Sequence, residues 1–520
     1  MIKDYFDFVD SKRVMNSQEL SEKYTANTIG AETPIFGAII VKKRDEIKKI
    51  LSIANTKGLS IYPISTGKNW GYGAANPPSE NAIILDLSEL KDIKHYDDEV
   101  GSITVEPGVT QQCLYDFLED HGSKHMVPTT GAGPSASILG NACERGYGIT
   151  PETDHFNAIY EMEVILPSGE TLFTGFSNYD SELLRGVFKT PPGASLNGLF
   201  TQSAFGIIVS MTIRLEKKPQ NISIFTFKIK GDKKLQKTIE VMREFRQDMG
   251  SLVGGVNFMN KERTDAMKNV AYKGAFKGKE EFEWQVFGGF YGTHETVKAA
   301  KKELRSRIRK NKIALNAVIL GPENIGLVRW LHKLCSLSKW LKAPKMFLQQ
   351  GIKGYEVLTG KPNQVALPLA YIGINKIPDE NTPLNPATDG CGLFWFAPLF
   401  PCKAAPVQKF TDGVKEICVK HNVIPLITLT TVNHSCIDST IPILFDPKNK
   451  DSFENAKACY EELMDFSRSI GILPYRLSST KMTEFFKDNK DSSLVKFIGE
   501  LKQNIDKNEV LSVGRYYHKE

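Results

Sequence analysis

The sequence lacks several features that would have set its class at once. Its eight cysteines are scattered without a CxxC pair, which argues against a zinc knuckle and a disulfide framework, so we expect reduced thiols and no metal site. No stretch has the length and apolarity of a membrane-spanning helix. The first residues carry acids and aromatics where a secretory signal needs basic and then apolar ones. These absences predict a cytoplasmic protein that has no membrane segment.

An excess of one charge is also missing. The chain has 66 Lys and Arg against 60 Asp and Glu, and the net charge of +6 is spread along the sequence. Such a distribution does not indicate nucleic-acid binding. The chain has 520 residues, of which 41% are hydrophobic, and it is too long for one ordinary domain. We therefore expect two lobes.

Hydrophobic periodicity predicts an α+β fold. A strand begins at Phe36, a charged amphipathic helix over residues 43–57 ends at Gly58, and a second strand covers residues 59–64. The remaining predicted elements are strands over 82–87, 102–106, 393–397 and 426–430, a helix over 110–121 capped by Thr110, a strand pair around the turn at 167–169, and a helix over 295–310. After Lys218 the predicted elements are longer helices that alternate with strands, and a helix-rich tail begins near Ser478.

A glycine-rich loop follows the second predicted strand. Its residues are Ser65, Thr66, Gly67, Lys68, Asn69 and Trp70, followed by Gly71, Tyr72 and Gly73. Glycines among polar residues let backbone N–H groups turn toward an anion such as a diphosphate. A tight connection with no ligand is the other interpretation that the spacing allows. The rival GxGxxA-like stretch over 131–136 follows no strand and contains a proline, which argues against a nicotinamide-binding Rossmann domain.

Six ordered blocks of the first lobe resemble the vanillyl-alcohol oxidase and para-cresol methylhydroxylase family of flavoproteins. They cover residues 63–73, 105–109, 138–148, 150–155, 162–166 and 198–206. The resemblance implies an FAD-binding domain of the para-cresol methylhydroxylase (PCMH) type over residues 1–218 and a cap, or substrate, domain with an antiparallel sheet over 219–477. The segment 478–520 would return to the FAD-binding domain.

The resemblance also implies which residues contact FAD. Besides the loop from Ser65 to Trp70, the expected contacts are Pro128, Thr130, Gly131, Ser137, Gly140, Asn141, Gly148, His155, Gly206, Ile207, His434 and Arg515. A structural role for His155 is the alternative. His434 is a candidate for covalent flavin attachment, and a hydrogen-bonded or substrate-facing histidine is its alternative, with Cys436 a more distant candidate for the link.

Tyr72, Tyr475 and Arg476 match the family positions that hold a phenol oxygen. A guanidinium and two hydroxyl donors directed at one oxygen would stabilise phenolate, which weakens the benzylic C–H bond opposite the oxygen. The resemblance therefore implies hydride transfer from that carbon to flavin N5, giving a quinone methide. The segment where family oxidases carry an aspartate has no acid here, and Thr129, also expected at the catalytic site, cannot act as a base near neutral pH.

Several functions remain open at this stage. The substrate is a 4-alkylphenol or 4-hydroxybenzyl alcohol in the first hypothesis, with O2 or a cytochrome-type carrier as electron acceptor and a homodimer as the assembly. A second hypothesis keeps FAD and changes the substrate to another alcohol or a hydroxy acid, because arginine also binds carboxylates. A tailoring step in the synthesis of a natural product and a flavin-free scaffold are the others.

Overall fold

Three β-sheets organise the chain in the computed structural model, which describes residues 2–271, 281–337, 341–376, 378–379 and 382–518. The strands before residue 215 are β1 (Val14–Asn16), β2 (Ile35–Ile40), β3 (Ile61–Ile64), β4 (Ala82–Asp86), β5 (Ile93–Asp97), β6 (Ser102–Val105), β7 (Ile159–Ile165), β8 (Thr171–Phe173) and β9 (Ile207–Arg214). The helices of this lobe are α1 (Ile2–Tyr5), α2 (Glu22–Thr25), α3 (Arg44–Lys57), α4 (Gln111–Asp120), α5 (Ile138–Cys143) and α6 (Asn197–Phe200).

The first sheet has the order β1-β2-β4-β3, in which β2, β4 and β3 run parallel. Strand β4 is buried along its whole length, as is usual for a central parallel strand covered on both faces. It lies between β2 and β3, so the two strands that are consecutive in the sequence are not neighbours. The second sheet is antiparallel, with the order β5-β6-β9-β7-β8.

Local signals for helix ends are confirmed. Helix α3 ends at Gly58, whose φ of 63° is left-handed and is tolerated without strain by glycine. Helix α4 begins after Thr110, whose hydroxyl accepts a hydrogen bond from the N–H of Cys113 at 3.1 Å. The strand pair predicted around residues 167–169 is β7 and β8, with Gly169 in the turn at a φ of 88°. These short-range features need no tertiary information.

The second lobe is built on one large antiparallel sheet. Its strands are β10 (Asn221–Ile229), β11 (Asn257–Asn260), β12 (Trp284–Gly292), β13 (Val318–Leu320), β14 (Gly392–Phe396), β15 (Pro398–Pro401), β16 (Thr428–Thr431), β17 (Cys436–Phe445) and β18 (Leu473–Pro474). The order across the sheet is β13-β10-β12-β11-β16-β17-β15-β18, and β14 also pairs with β17. The predicted α+β class and the antiparallel sheet of the second lobe are therefore confirmed.

Helices cover this sheet and form the tail. They are α7 (Asp232–Met249), α8 (Lys261–Ala271), α9 (His294–Lys310), α10 (Pro322–Cys335), α11 (Lys342–Leu358), α12 (Ala404–Lys420), α13 (Lys450–Ser469), α14 (Ser479–Asp488) and α15 (Ser493–Ile505). Apolar residues of α7, α9, α12 and α13 pack on one face of the sheet and form the largest core of the described residues. The opposite face is thereby left to line a cavity. Short 3-10 helices cover Ser11–Arg13, Phe176–Tyr179, Glu182–Leu184, Gly250–Leu252 and Leu367–Ile372.

The tail after α14 contacts the first lobe. The N–H of Ile61 donates to the carbonyl of Val510 at 2.7 Å, and the N–H of Ser512 donates to the carbonyl of Ile61 at 2.8 Å. The buried ammonium of Lys502 bonds Asp506 at 2.6 Å and the carbonyl of Ala204 at 2.8 Å. Boundaries at 218 and 477 remain our proposal, which the sheets support because the second sheet ends at residue 214 and the third begins at 221.

The eight cysteines are free, and the buried sulfurs of Cys418 and Cys459 lie 3.9 Å apart. In the part of the chain that the structure describes, no helix combines the length and the apolar character needed to cross a bilayer.

Candidate active site

A cavity of about 1130 Å³ lies between the first lobe, the free face of the large sheet and the tail. Single small-molecule sites typically measure about 300–1,000 Å³. The cavity therefore has room for a cofactor together with a second molecule. The large sheet forms one side of the cavity. Residues two apart on a strand point to the same face, and alternate residues of β11, β12, β16 and β17 line the cavity.

The loop after β3 forms one wall. Gly67 has a φ of 67° and Gly71 a φ of 79°, conformations that glycine adopts freely. A Cβ at Gly71 would lie 2.6 Å from the Cβ of Trp395, because the loop is pressed against β14, where the N–H of Trp395 donates to the carbonyl of Gly71 at 3.2 Å. The loop is therefore fixed between the two lobes with Ser65 to Trp70 on the cavity.

The start of α5 meets this loop. The hydroxyl of Ser137 accepts from the N–H of Gly140 at 2.9 Å and donates to the carbonyl of Pro107 at 2.7 Å. A Cβ at Gly140 would lie 2.3 Å from the hydroxyl oxygen of Ser65, so only glycine allows the two segments to touch. Backbone amides and hydroxyls in a concave turn suit a diphosphate, and the half-buried ammonium of Lys68 adds a positive charge to this wall. The donor set fits FAD.

Tyr72, Tyr475 and Arg476 line the same cavity. The guanidinium carbon of Arg476 lies 4.4 Å from the ring centroid of Tyr72, and Arg476 also hydrogen-bonds Asn69. The hydroxyl of Tyr72 is buried and has no hydrogen-bond partner among the described residues. Burial raises the pKa of both tyrosines, so their hydroxyls stay protonated and can donate. These three side chains can converge on one ligand oxygen.

Glu144 joins two arginines beneath this group. One of its oxygens lies 3.4 Å from Nε of Arg476, and the other pairs with Arg515. Burial alone would raise the pKa of Glu144, but the charges of Arg515 and Arg476 outweigh it and hold that pKa below its usual range. Because one carboxylate pairs with two guanidiniums, this part of the cavity lining keeps a net positive charge, which favours an anionic ligand. Sequence reasoning placed Glu144 in a family block without giving it a role.

Asp438 is the main residue that sequence reasoning missed. It lies on β17, lines the cavity and is 4% exposed, and its Oδ1 has no hydrogen-bond partner within the described ranges. Burial raises the pKa of Asp438 well above its usual value, because loss of solvent disfavours the charged form and no cation in the described part of the chain opposes this effect. A carboxyl with a raised pKa is a stronger base, once ionised, than an ordinary aspartate. The available signal was a lone acid within an otherwise uncharged strand.

Most of the predicted site residues are brought together. The predicted cofactor residues on the cavity are Ser65, Thr66, Gly67, Lys68, Asn69, Trp70, Thr130, Gly131, Ser137, Gly140, Asn141, Gly148, Gly206 and Arg515. Arg515 also donates to the hydroxyl of Tyr62 at 3.3 Å and to the carbonyl of Ser203 at 3.2 Å.

Five predicted residues lie elsewhere. The hydroxyl of Thr129 is buried and donates to the carbonyl of Val357 at 2.7 Å, and Ile207 lies in the core of the first lobe. Pro128 and His155 border a separate small void, where His155 contacts Asn141 at 2.6 Å and burial lowers its pKa to about 4. His434 is exposed in the turn between β16 and β17 and does not line the cavity.

Comparisons with known proteins agree with this geometry. The model of an FAD binding domain matches residues 37–175. The chain is 28% identical over 91% of its length to a 1'-carboxy-chondrochloren decarboxylase of Chondromyces crocatus, covering 88% of that protein. It is 24% identical over 92% of its length to the flavoprotein subunit of 4-cresol dehydrogenase (hydroxylating) of Pseudomonas putida, covering 87% of it.

The fold is that of p-cresol methylhydroxylase, solved with substrate bound, with a TM-score of 0.84 at 21% identity over 99% of this chain and 96% of the other. A 4-ethylphenol oxidase from Gulosibacter chungangensis matches with the same TM-score and coverage. The chain therefore has a matched FAD-binding domain, the fold of p-cresol methylhydroxylase and a wall that fits the dinucleotide, and FAD is its cofactor.

Proposed function

We propose that this protein oxidises a para-substituted phenol at the carbon attached to the ring opposite the hydroxyl. The observation that supports it is the arrangement of one cavity: a positive group with two tyrosine hydroxyls at one end, and the buried carboxyl of Asp438 farther along the same face. A phenol oriented with its oxygen on Arg476 directs its para substituent away from that end.

Arg476 and the two tyrosines stabilise the phenolate. The guanidinium is charged at any physiological pH, and each tyrosine supplies a neutral hydroxyl donor. Binding therefore lowers the pKa of the ligand phenol, and the negative charge raises electron density on the ring. Loss of hydride from the para carbon becomes easier as a result. FAD, when bound, supplies the acceptor for that hydride.

In the step after hydride loss, Asp438 accepts a proton from water. Hydride loss from a phenolate leaves a quinone methide, and water adds to its benzylic carbon after giving up a proton. Once ionised, a carboxylate with a raised pKa is a stronger base than an ordinary aspartate, and we assign the acceptance of that proton to Asp438. The segment before α5 has no acid, and Asp438 on the cap sheet takes the place of one.

The test compares two isomers. Anaerobic mixing with a para-alkylphenol is expected to bleach the flavin absorbance, whereas the meta isomer, which has the same size and acidity range, is expected to leave it oxidised. Only the para isomer can place the electrons of a phenolate oxygen in conjugation with the reacting carbon. Equal reduction by both isomers, or by neither, would contradict the proposal. Reoxidation in air or by a cytochrome-type carrier then identifies the acceptor.

A second candidate reaction is oxidative loss of a carboxyl group. It is favoured by the Chondromyces relative, which is named a decarboxylase and covers 91% of this chain. If the carbon next to the benzylic position bears a carboxylate, hydride transfer gives the same quinone methide. The C–CO2 bond then breaks, its electron pair restores the aromatic phenolate through a new C=C bond, and CO2 leaves. Release of CO2 in equal amount to reduced flavin identifies this route.

A further inference from the structure

A second polar group faces the cavity away from the phenol-binding end. It consists of Arg263 and Thr264 on α8 and of Asn257, Gln285 and Thr428 on the sheet, and we name it the polar cluster. Each has at least one buried side-chain atom without a hydrogen-bond partner among the described residues: Nε and one terminal nitrogen of Arg263, the hydroxyls of Thr264 and Thr428, Nδ2 of Asn257 and Oε1 of Gln285. Buried polar atoms are seldom left unpaired, and five together point to a missing ligand.

Arg263 is the least expected residue of the polar cluster, because its charged side chain is buried. The residue is 8% exposed, and no acid forms an ion pair with it in the described part of the chain. Asp265, two residues away, pairs with Lys261. Burial lowers the pKa of Arg263 to about 9, and no charged group among the described residues opposes the effect, yet the guanidinium remains protonated at neutral pH. A buried cation that has no anionic partner among the described residues costs stability, which indicates that a ligand supplies the anion.

The register of the sheet places the polar cluster beyond Asp438 as seen from the phenol-binding end of the cavity. Asp438 on β17 is opposite Thr430 on β16, and Thr430 is opposite Asn257 on β11. Adjacent strands are about 4.8 Å apart, so Asn257 lies roughly 10 Å from Asp438 on the side away from β18, the strand that leads into Tyr475. A molecule with its phenol oxygen at Arg476 and its benzylic carbon near Asp438 reaches the cluster through its para substituent.

From this geometry we infer that the polar cluster is a subsite for a carboxylate at the far end of the para substituent. The inference deepens the proposed function and rests on it for the position of the ring. A carboxylate offers several lone pairs, which match the donors of Arg263, Asn257, Thr264 and Thr428. One guanidinium balances one negative charge. Lys268, which also lines the cavity, lies 5.4 Å from the ring centroid of Phe282.

The test uses a homologous series of ω-(4-hydroxyphenyl)alkanoates and the matching carboxamides. Their binding to the FAD-loaded protein is measured by calorimetry and by perturbation of the flavin spectrum. The wild-type protein is expected to prefer the carboxylate at one chain length, and Arg263→Met is expected to weaken that binding by about 30-fold or more, as when one member of a buried charge pair is removed. Binding of the carboxamide is expected to change little.

Arg309→Met is the control, because Arg309 is exposed at the end of α9 and its loss changes the net charge equally. Melting temperature without ligand gives a second readout. Arg263→Met is expected to keep or raise it, since a methionine removes an unpaired buried charge, whereas the carboxylate is expected to raise it in the wild-type protein alone.

The outcomes separate this inference from the proposed function. Carboxylate selectivity that depends on Arg263 supports the subsite even if para-alkylphenols fail to reduce the flavin. Equal affinity for carboxylate and carboxamide at every chain length, or selectivity that survives Arg263→Met, overturns the subsite even if para-alkylphenols do reduce the flavin. In that case the polar atoms are satisfied by water.

Discussion

Replacing Arg476 by methionine is expected to slow anaerobic flavin reduction by a para-alkylphenol by about 10²–10³-fold, the usual effect of removing one donor from a group that stabilises an oxyanion. FAD is expected to remain bound, because Glu144 keeps its contact with Arg515. The loss is also expected to shrink as the pH rises toward about 10, where a free phenol ionises without help. Stopped-flow absorbance across this pH range measures both effects.

Arg476→Lys is the matched variant. Lysine keeps the charge but not the planar fork that contacts Asn69 and Glu144, so we expect a rate between those of the wild-type and the methionine variant. A purely structural role for Arg476 would lower FAD content and thermal stability in both variants and would give no recovery at high pH. A loss of rate that is equal at all pH values would therefore contradict phenolate stabilisation.

Local sequence signals predicted much of the first lobe. Gly58 and Thr110 mark helix ends through their own backbone and side-chain chemistry, so α3 and α4 could be placed within a residue or two. Strand β5, with the sequence Ile-Lys-His-Tyr-Asp, was missed because its residues are mostly exposed and polar. The insertion of β4 between β2 and β3 depends on long-range pairing, which no short window encodes.

Some residues of the candidate site could be predicted from sequence motifs, and others could not. The loop at Ser65 and the residues Tyr72, Tyr475 and Arg476 could be named because they resemble the motifs of a known family. Asp438 and Arg263 could not, because they are distinguished by buried polar atoms that find no partner among the described residues, and burial depends on which strands meet. An isolated acid or arginine in a sequence is usually solvated.

His434 and Thr129 are predicted site residues that the structure places away from the cavity. Both residue types suit the expected chemistry, and both stand at plausible places in the sequence. The turn between β16 and β17 carries His434 to the surface, and the hydroxyl of Thr129 is used by the carbonyl of Val357. A link between FAD and His434 would need that turn to adopt another conformation, and the mass of the flavin peptide after digestion tests it.

Asp438→Asn separates the two steps of the proposed reaction. The amide cannot accept the proton of water, so turnover to the hydroxylated product is expected to fall by about 10²–10³-fold. Flavin reduction in a single turnover is expected to change much less, because Arg476 and the tyrosines remain. Product analysis and stopped-flow absorbance on the same samples measure the two rates. Asp491→Asn, which alters an exposed acid in a turn, is the control.

The pH dependence gives the decisive contrast. Burial raises the pKa of Asp438, so wild-type turnover is expected to increase with pH through that value, and the Asn variant is expected to lose this dependence. For stability the sign is opposite. Below about pH 4 the carboxyl is protonated in both the folded and the unfolded chain and has no effect.

As the pH rises from there to the raised pKa of the folded state, the unfolded chain loses its proton first, and the wild-type protein becomes progressively less stable. The Asn variant has no carboxyl to titrate and does not lose stability in this way. The difference in melting temperature between the Asn variant and the wild-type protein is therefore expected to grow over that interval and then stay constant. An aspartate that lowers stability while it raises turnover is retained for chemistry. A variant that is both slower and less stable across the whole interval would instead make Asp438 a structural residue.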